Sequence, residues 1–499
     1  MINAKLKRAV AISLVSAMAV SSLAACSSSS SKKEDDKTST EAPKATDDSS
    51  KATDGSKPEE SKDDKKERVI DFKPALAVPS TDGWDSSKKI YAYSWNDEFG
   101  NRMNYVLEKY PQFKDYYEYV NFGISGTDGE YQQKIEGLIT NKDEKYPSLV
   151  AMDNDVAKYF LETDDAIALD EVGITADMYK NAYQYTIDYA TVDGKVKGLT
   201  WQAAPGNVAY RASIAKKVLG TDDPVEVQKY LKDWDTFFET ADKMKEAKYK
   251  MTSGPDEIKY AVWDSQTKPW VSKDNVLQLD DSVKTYFEYA KKLYSGDYTN
   301  GNAMWSDGWN ASMAADGDVF CYFGCTWWLY WCLKSGKEGE ANSSYGDWRV
   351  CAGPADYHWG GTYVGIMKDC PNTELAAFLL YSLTCDEDIL YKIESKDLDF
   401  VNNQKVTDMV IEDGVGIPGV LGGQNPIPTW KEAAKKIDLS NASFLDATLK
   451  GYMDKASETY NGTAKDKDGN AIAAFTSVDE AIKYVKDQVK DNFKYITVE

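Results

Sequence analysis

The stretch Lys88-Lys89-Ile90-Tyr91-Ala92-Tyr93-Ser94-Trp95-Asn96-Asp97-Glu98 decides the fold. Its first half alternates as a strand does, and it then opens into a polar loop. The unit recurs downstream. Residues 104–110 have a helical pattern stopped by Pro111, and 117–121 form a second strand. Residues 131–140 form a second helix, with Ile135, Leu138 and Ile139 at helical spacing. A third strand, 147–152, runs into Asp153-Asn154-Asp155 at a helix N-cap position. This β-α-β-α-β rhythm predicts a parallel sheet with helices on its faces, hence an α/β protein. In such sheets ligands bind beyond the carboxyl ends of the strands, where residues 95–98 and 153–155 both fall.

Further along, Asp193-Gly194-Lys195 is a hairpin turn, followed by a strand at Gly198-Leu199-Thr200-Trp201 and a break at Pro205-Gly206. Helices are predicted over 213–219, 234–247, 282–293 and 374–383. Extended segments are predicted over 317–323, 348–352 and 360–367. A chain of 499 residues is too long for one ordinary core, so two lobes or domains are expected. The composition is 42% hydrophobic and 12% aromatic, a globular chain unusually rich in rings. The net charge of −22 repels phosphate backbones and argues against nucleic acid, while a neutral solute or a cation suits it. No internal repeat or glycine-rich phosphate loop is present. Asp466-Lys467-Asp468-Gly469-Asn470 misplaces the glycine of a calcium loop and lacks its closing Glu, so it is a turn.

At the N-terminus, Lys5, Lys7 and Arg8 precede an apolar run from Ala9 to Val20, and Leu23-Ala24-Ala25-Cys26 follows. That is the form of a secretory signal. The run is too short to span a membrane, and no later segment reaches about 18 consecutive apolar residues. The ending resembles the bacterial lipobox. The resemblance implies a lipoprotein signal peptide over 1–25 and a lipidated Cys26 that tethers the chain to the outer face of the cell membrane. Residues 26–85 hold scarcely any apolar side chain before Val69, which predicts a disordered tether reaching some 40 Å. Six further cysteines (Cys321, Cys325, Cys332, Cys351, Cys370 and Cys385) permit disulfides in an exported chain, and their apolar neighbours suit buried thiols equally. With no C-x-x-C pair and a single histidine, His358, no metal site is expected.

Six segments extend the pattern over about 86–499: Ser94-Trp95-Asn96-Asp97-Glu98; Tyr146-Pro147-Ser148-Leu149-Val150-Ala151-Met152-Asp153; Val192-Asp193-Gly194-Lys195-Val196-Lys197-Gly198-Leu199-Thr200-Trp201; Gly324-Cys325-Thr326-Trp327; Gly360-Gly361-Thr362-Tyr363-Val364-Gly365-Ile366; and Asn372-Thr373-Glu374-Leu375-Ala376-Ala377-Phe378-Leu379. In order and spacing they resemble the carbohydrate-binding solute receptors of ATP-binding-cassette importers, the group that includes the maltodextrin-binding proteins. Thr200 departs from it, standing where the family usually has proline, and so does the cysteine-rich 321–385 segment. The resemblance implies a two-lobed type II periplasmic-binding-protein fold with hinge crossings near 204–207, near 361–364 and after about 410. Lobe one would hold 86–204 plus 363–410, and lobe two 205–362 plus 411–499. It also implies a non-enzymatic receptor without a cofactor, closing over an oligosaccharide and delivering it to membrane permease subunits.

Sugars offer C–H faces to aromatic rings and hydroxyls to carboxylates and amides. The chain has 14 Trp and 33 Tyr, and several Trp fall at predicted strand ends. The candidate sugar-binding residues are Trp95, Asn96, Glu98, Asp153, Trp201, Trp305, Trp309, Trp327, Trp359 and Gly360. Asp153 suits hydroxyl acceptance and helix capping alike, and Trp201, Trp305 and Trp309 suit loop or core packing as well as stacking. Within Cys325-Thr326-Trp327-Trp328-Leu329-Tyr330-Trp331-Cys332, Trp327 is expected to face the cleft, with Trp328 and Trp331 packed inward. Trp234, at a predicted helix start, is expected in the core. Two alternatives remain: a peptide, amino-acid or cation receptor of the same fold, or a lipid-anchored glycoside hydrolase. No carboxylate pair stands out for hydrolysis, and no G-x-S-x-G elbow accompanies His358.

Overall fold

The computed structural model describes residues 68–127 and 129–499. The signal peptide, Cys26 and the first part of the expected tether lie outside the described residues. The main strands are β1 (Ile90–Ser94), β2 (Tyr117–Asn121), β3 (Pro147–Asp153), β4 (Gly198–Thr200), β5 (Gly206–Arg211), β6 (Cys321–Cys325), β7 (Trp348–Cys351) and β8 (Thr362–Ile366). They form two separate sheets, one per lobe.

In lobe one the order is β2-β1-β3-β8-β4. β1 runs parallel to β2 and β3, as the rhythm of the sequence predicts. β8 joins antiparallel to β3, with Thr362 opposite Asp153 and Ile366 opposite Leu149, and β4 pairs with its far side. β3 is apolar on both faces because helices cover both, and it is buried from Pro147 to Met152. The helix Thr373–Cys385 packs there; it is apolar almost all round and buried from Leu375 onward, and Asn372 caps it by accepting from the Leu375 N–H at 3.0 Å. In lobe two, β5 lies between β7 and β6, antiparallel to both. Its helical layer includes Trp234–Glu246, Asp281–Ser295, Asp446–Asn461 and Val478–Asn492. The chain passes between the sheets at 201–205 and 352–361, and again after the helix Gln404–Asp413.

Two expectations change. The chain already lies against lobe one from Arg68, upstream of the expected boundary at 85. Arg68 pairs with Asp413 at 2.7 Å and Glu412 at 3.1 Å, the Ala75 N–H donates to the Tyr381 hydroxyl at 2.8 Å, and Trp84 packs on Phe113 and Tyr116. A few apolar side chains (Ile70, Phe72, Leu76, Trp84) supply this packing, and they vanish in the average composition of a polar segment. The six described cysteines are free and buried, which answers the choice between disulfides and thiols. Burial pushes the Cys351 and Cys385 thiols up to about 12. Among the described residues no helix is long and apolar enough to cross a membrane.

Candidate functional site

β1 ends at Ser94, and the helix Glu98–Lys109 starts only four residues later, not at 104 as its pattern predicts. Glu98 therefore sits in the first helical turn, not in a loop. Asn96 uses its side chain on this turn, accepting from the Glu98 N–H at 3.0 Å, and its carbonyl accepts from the Tyr119 hydroxyl. Trp95 is half-buried, edge-on to Tyr131 at 5.7 Å and flat on Gly126, where a Cβ would meet the indole at 2.7 Å.

Glu98 accepts from Gln202 Nε2 at 3.1 Å and lies 3.9 Å from Arg102, one turn along its own helix. Arg102 also holds Asp397 at 2.7 Å and Asp399 at 3.2 Å. Leu398 between them has φ +60°, and this left-handed turn separates two aspartates that reach the same guanidinium. Asp399 accepts in addition from Trp201 Nε1 at 3.1 Å and Gln202 Nε2 at 3.3 Å. One cation thus serves three carboxylates. Burial, then the charge of Asp399, raises Glu98 to about 7. Asp153 is raised to about 7 by burial and by Asp155, although its side chain accepts from the Asp155 N–H at 2.9 Å as the predicted N-cap. Of the two expected roles of Asp153 the cap is observed, and it engages one carboxylate oxygen of two.

The Asn154 N–H donates to the Gly361 carbonyl at 2.9 Å, so the end of β3 abuts the entrance to β8. There the second wall begins. Trp359 stacks on Tyr260 (centroids 4.8 Å apart, planes at 21°) and meets Trp327 edge-on at 5.0 Å and Trp305 at 5.8 Å. Trp327 Nε1 donates to the Trp359 carbonyl at 2.8 Å. Gly360 lies between them at φ +70°, where a Cβ would come within 2.9 Å of that indole nitrogen, so glycine alone fits without displacement. Trp305 is 57% exposed and Trp359 4%.

Trp201 and Trp309 are fully buried. Trp201 stacks on Phe99 at 6.0 Å and donates to Asp399, while Trp309 donates to the buried Glu257, whose carboxyl is pushed well above its usual range by desolvation. In this structure neither presents a ring face to the crevice; each satisfies a buried carboxylate. Trp328 is buried as expected, but Trp331 is 46% exposed. It ends a helix of one turn, Trp328–Trp331, too short to roll it inward. Trp234 lies parallel to Phe323 at 5.9 Å, a packing role. Sequence reasoning did not single out Arg102, Gln202, Tyr260 or Asp399. Their only local signal is an unremarkable polar or aromatic context, because the fold assembles them from segments up to about 300 residues apart.

The two walls are joined on one flank. Asp155 pairs with Lys450 at 3.0 Å, and Asn154 meets His358 Nε2 at 2.6 Å, whose Nδ1 lies 2.5 Å from Asp264. A cavity of about 30 Å³ among these groups has room for roughly one or two waters. A larger concavity of about 470 Å³ beside Arg68, Lys180, Gln404 and Glu412 lies on the outer face of lobe one. No Trp, Tyr or Phe lines it and each of its charged side chains is engaged in an ion pair, so it is a poor candidate for solute.

A family model described as "Bacterial extracellular solute-binding protein" matches residues 118–405, more than half of the chain. Comparison with curated protein sequences gives no significant match. Among solved structures the chain is similar to an extracellular solute-binding protein family 1 member (16% identity, TM-score 0.65, covering 81% of this chain and 98% of that one). It is also similar to the galacto-N-biose-/lacto-N-biose I-binding protein of the ABC transporter from Bifidobacterium longum, in complex with lacto-N-biose (17%, 0.60, 82% and 98%). A third is the sugar-binding protein MalE from Xanthomonas citri (11%, 0.62, 81% and 97%). At these identities the likeness is one of fold: two lobes about a crevice.

Proposed function

The chain belongs to the bacterial extracellular solute-binding protein family, and from that premise we propose that it is a receptor for an oligosaccharide, bound between the carboxylate wall of lobe one and the aromatic wall of lobe two. The observation that carries this is the Tyr260–Trp359–Trp327 assembly beside Asp153 and Glu98. Ring faces take the C–H faces of sugars, and carboxylates with Gln202 take the hydroxyls. The named ligands of similar structures, lacto-N-biose and β-1,6-galactobiose among them, agree with a saccharide. Closure about the three crossings would bury the solute, and a ligand that touches both walls favours the closed state by its differential contacts. The receptor would hand its cargo to the permease subunits of an ATP-binding-cassette importer, held at the cell surface by a lipid on Cys26.

Titrating the full chain with malto-, manno-, xylo-, cello- and fructo-oligosaccharides, amino acids and short peptides, followed by tryptophan fluorescence, tests the proposal. Saturable binding of one saccharide series, with the sugar recovered intact, supports it. Binding of peptides alone, or cleavage of the sugar, overturns it in favour of a peptide receptor or a hydrolase.

A further inference from the structure

The charges along the lobe-one wall do not balance. Glu98, Asp397 and Asp399 share Arg102. Among the described residues, no ion pair includes Asp153, and the cations around it are engaged: Lys450 with Asp155 and Lys259 with Asp454, each at 3.0 Å. Five carboxylates (Glu98, Asp153, Asp155, Asp397, Asp399) are therefore paired directly by only two cations, Arg102 and Lys450, while Lys259 and His358 act on Asp155 from further off. Asp264 and Asp446, which also act on Lys450, add to the acidic side. Asp399 is only 3% exposed, yet its Oδ1 makes no hydrogen bond. Tyr330 reaches towards it from lobe two, and its hydroxyl is likewise unpartnered.

A neutral sugar needs hydroxyl acceptors, and amide side chains would supply them without burying charge. Carboxylates in excess of cations, in a buried wall, are costly until a cation reaches them. The opposite wall is also suited to positive charge, because the faces of Trp and Tyr attract cations. An ammonium group carried on a sugar ring would satisfy both walls at once, with charge-assisted hydrogen bonds on one side and stacking on the other.

We propose that the solute is an aminated saccharide, its ammonium seated between Glu98 and Asp153 with Asp399 behind them and its ring lying on Trp327, which the buried Trp359 backs. This rests on the saccharide reading above. The titration of the wall agrees with it. Glu98 faces Arg102, Gln202, Asp399 and Asp153; Asp153 faces Asp155, Lys450 and Tyr260; both carboxyls are raised to about 7. An incoming ammonium favours their charged forms and expels protons. Affinity for the amine therefore rises as pH climbs from 5 to about 7, then falls where the amine loses its own proton.

The test is isothermal titration of the full chain with matched sets. Glucosamine, galactosamine, mannosamine and the β-1,4-linked glucosamine tetrasaccharide are each compared with the unsubstituted parent and the N-acetyl derivative. The expected result is that at least one amine binds roughly tenfold or more tightly than its parent at pH 7. Its binding enthalpy varies with the buffer's ionisation enthalpy, showing proton release. In Glu98→Gln the preference for amine over parent falls towards parity. Asp153→Asn, which keeps a side chain able to cap its helix, provides the same readout should Glu98→Gln fold poorly. A neutral or N-acetyl member binding as tightly as its amine, without proton release, overturns this inference and leaves the receptor proposal standing. Silence across this set overturns this inference alone, and silence across the oligosaccharide panel above as well overturns both.

Discussion

In the proposed binding site lobe one contributes carboxylates and lobe two rings, and the two groups are supported in different ways. The carboxylates of lobe one are fixed by directional bonds: backbone N–H groups at helix starts, the Gln202 amide, the Trp201 indole and one guanidinium. The rings of lobe two are fixed by other rings, with Tyr260, Trp305 and Trp327 all leaning on Trp359. A polar wall of the first kind fails when one member is removed, because its neighbours are left charged and buried. A packed wall of the second kind loses contact area in proportion to what is removed. Tryptophan appears in both roles. Trp201 and Trp309 belong to the first kind as donors, and Trp327 to the second as a face, backed by the buried Trp359.

The sharpest way to break this contrast is Arg102→Leu, which leaves Glu98, Asp397 and Asp399 buried without a cation. Urea denaturation should show a loss of about 3–5 kcal/mol; a loss below 1 would mean the carboxylates are held independently of it. Glu98→Gln comes next. The folded carboxyl titrates near 7, above the ordinary value of 4.5, so wild-type stability is fullest at low pH and falls as pH rises between these values. The Gln variant lacks this decline. Relative to wild type it should gain about 3 kcal/mol between pH 4 and pH 8, and parallel stability profiles would contradict the elevation.

On the aromatic side, Trp327→Ala should weaken saccharide binding by about 1–3 kcal/mol, a magnitude taken from stacking on nucleobases, with little change in melting temperature. Trp309→Phe should do the reverse, lowering stability by about 1–3 kcal/mol because Glu257 Oε1 loses its donor, and sparing affinity. Equal effects of the two on affinity would erase the distinction between donors and faces. Gly360→Ala, strained at φ +70° and crowding Trp327, should cost about 1–2 kcal/mol in stability and shift the indole fluorescence. The smallest effect is expected of Arg68→Ala at the edge of lobe one, below about 1 kcal/mol by thermal melting, since its ion pairs are partly open to solvent.

Local pattern was enough for much of this molecule. Alternation in Ile90–Ser94, the apolar run of Pro147–Asp153, Asp153 as a helix cap and the Asp193-Gly194 turn are decided within a few residues of chain, where propensity and periodicity act. Two lobes are implied by the length of the chain and by its family resemblance, not by these elements. The helix Glu98–Lys109 starts earlier than expected because its first turn is held by Asn96 and its buried stripe of Phe99, Met103 and Val106 already begins there. The packing of Arg68, Phe72 and Trp84 could not be read from a polar segment, since it depends on surfaces contributed by Asp413, Tyr381 and Phe113.

The division is clearest for tryptophan. Residue type indicated that indoles at strand ends matter, but the chain carries no mark that separates Trp309, fully buried over Glu257, from Trp305, 57% exposed four residues earlier. Whether an indole is a donor in the core or a face in the crevice depends on what the fold brings against it from Glu257, Tyr260 or Asp399. Burial and electrostatic partnership are sums over neighbours distant in sequence, and only the assembled tertiary structure contains those sums.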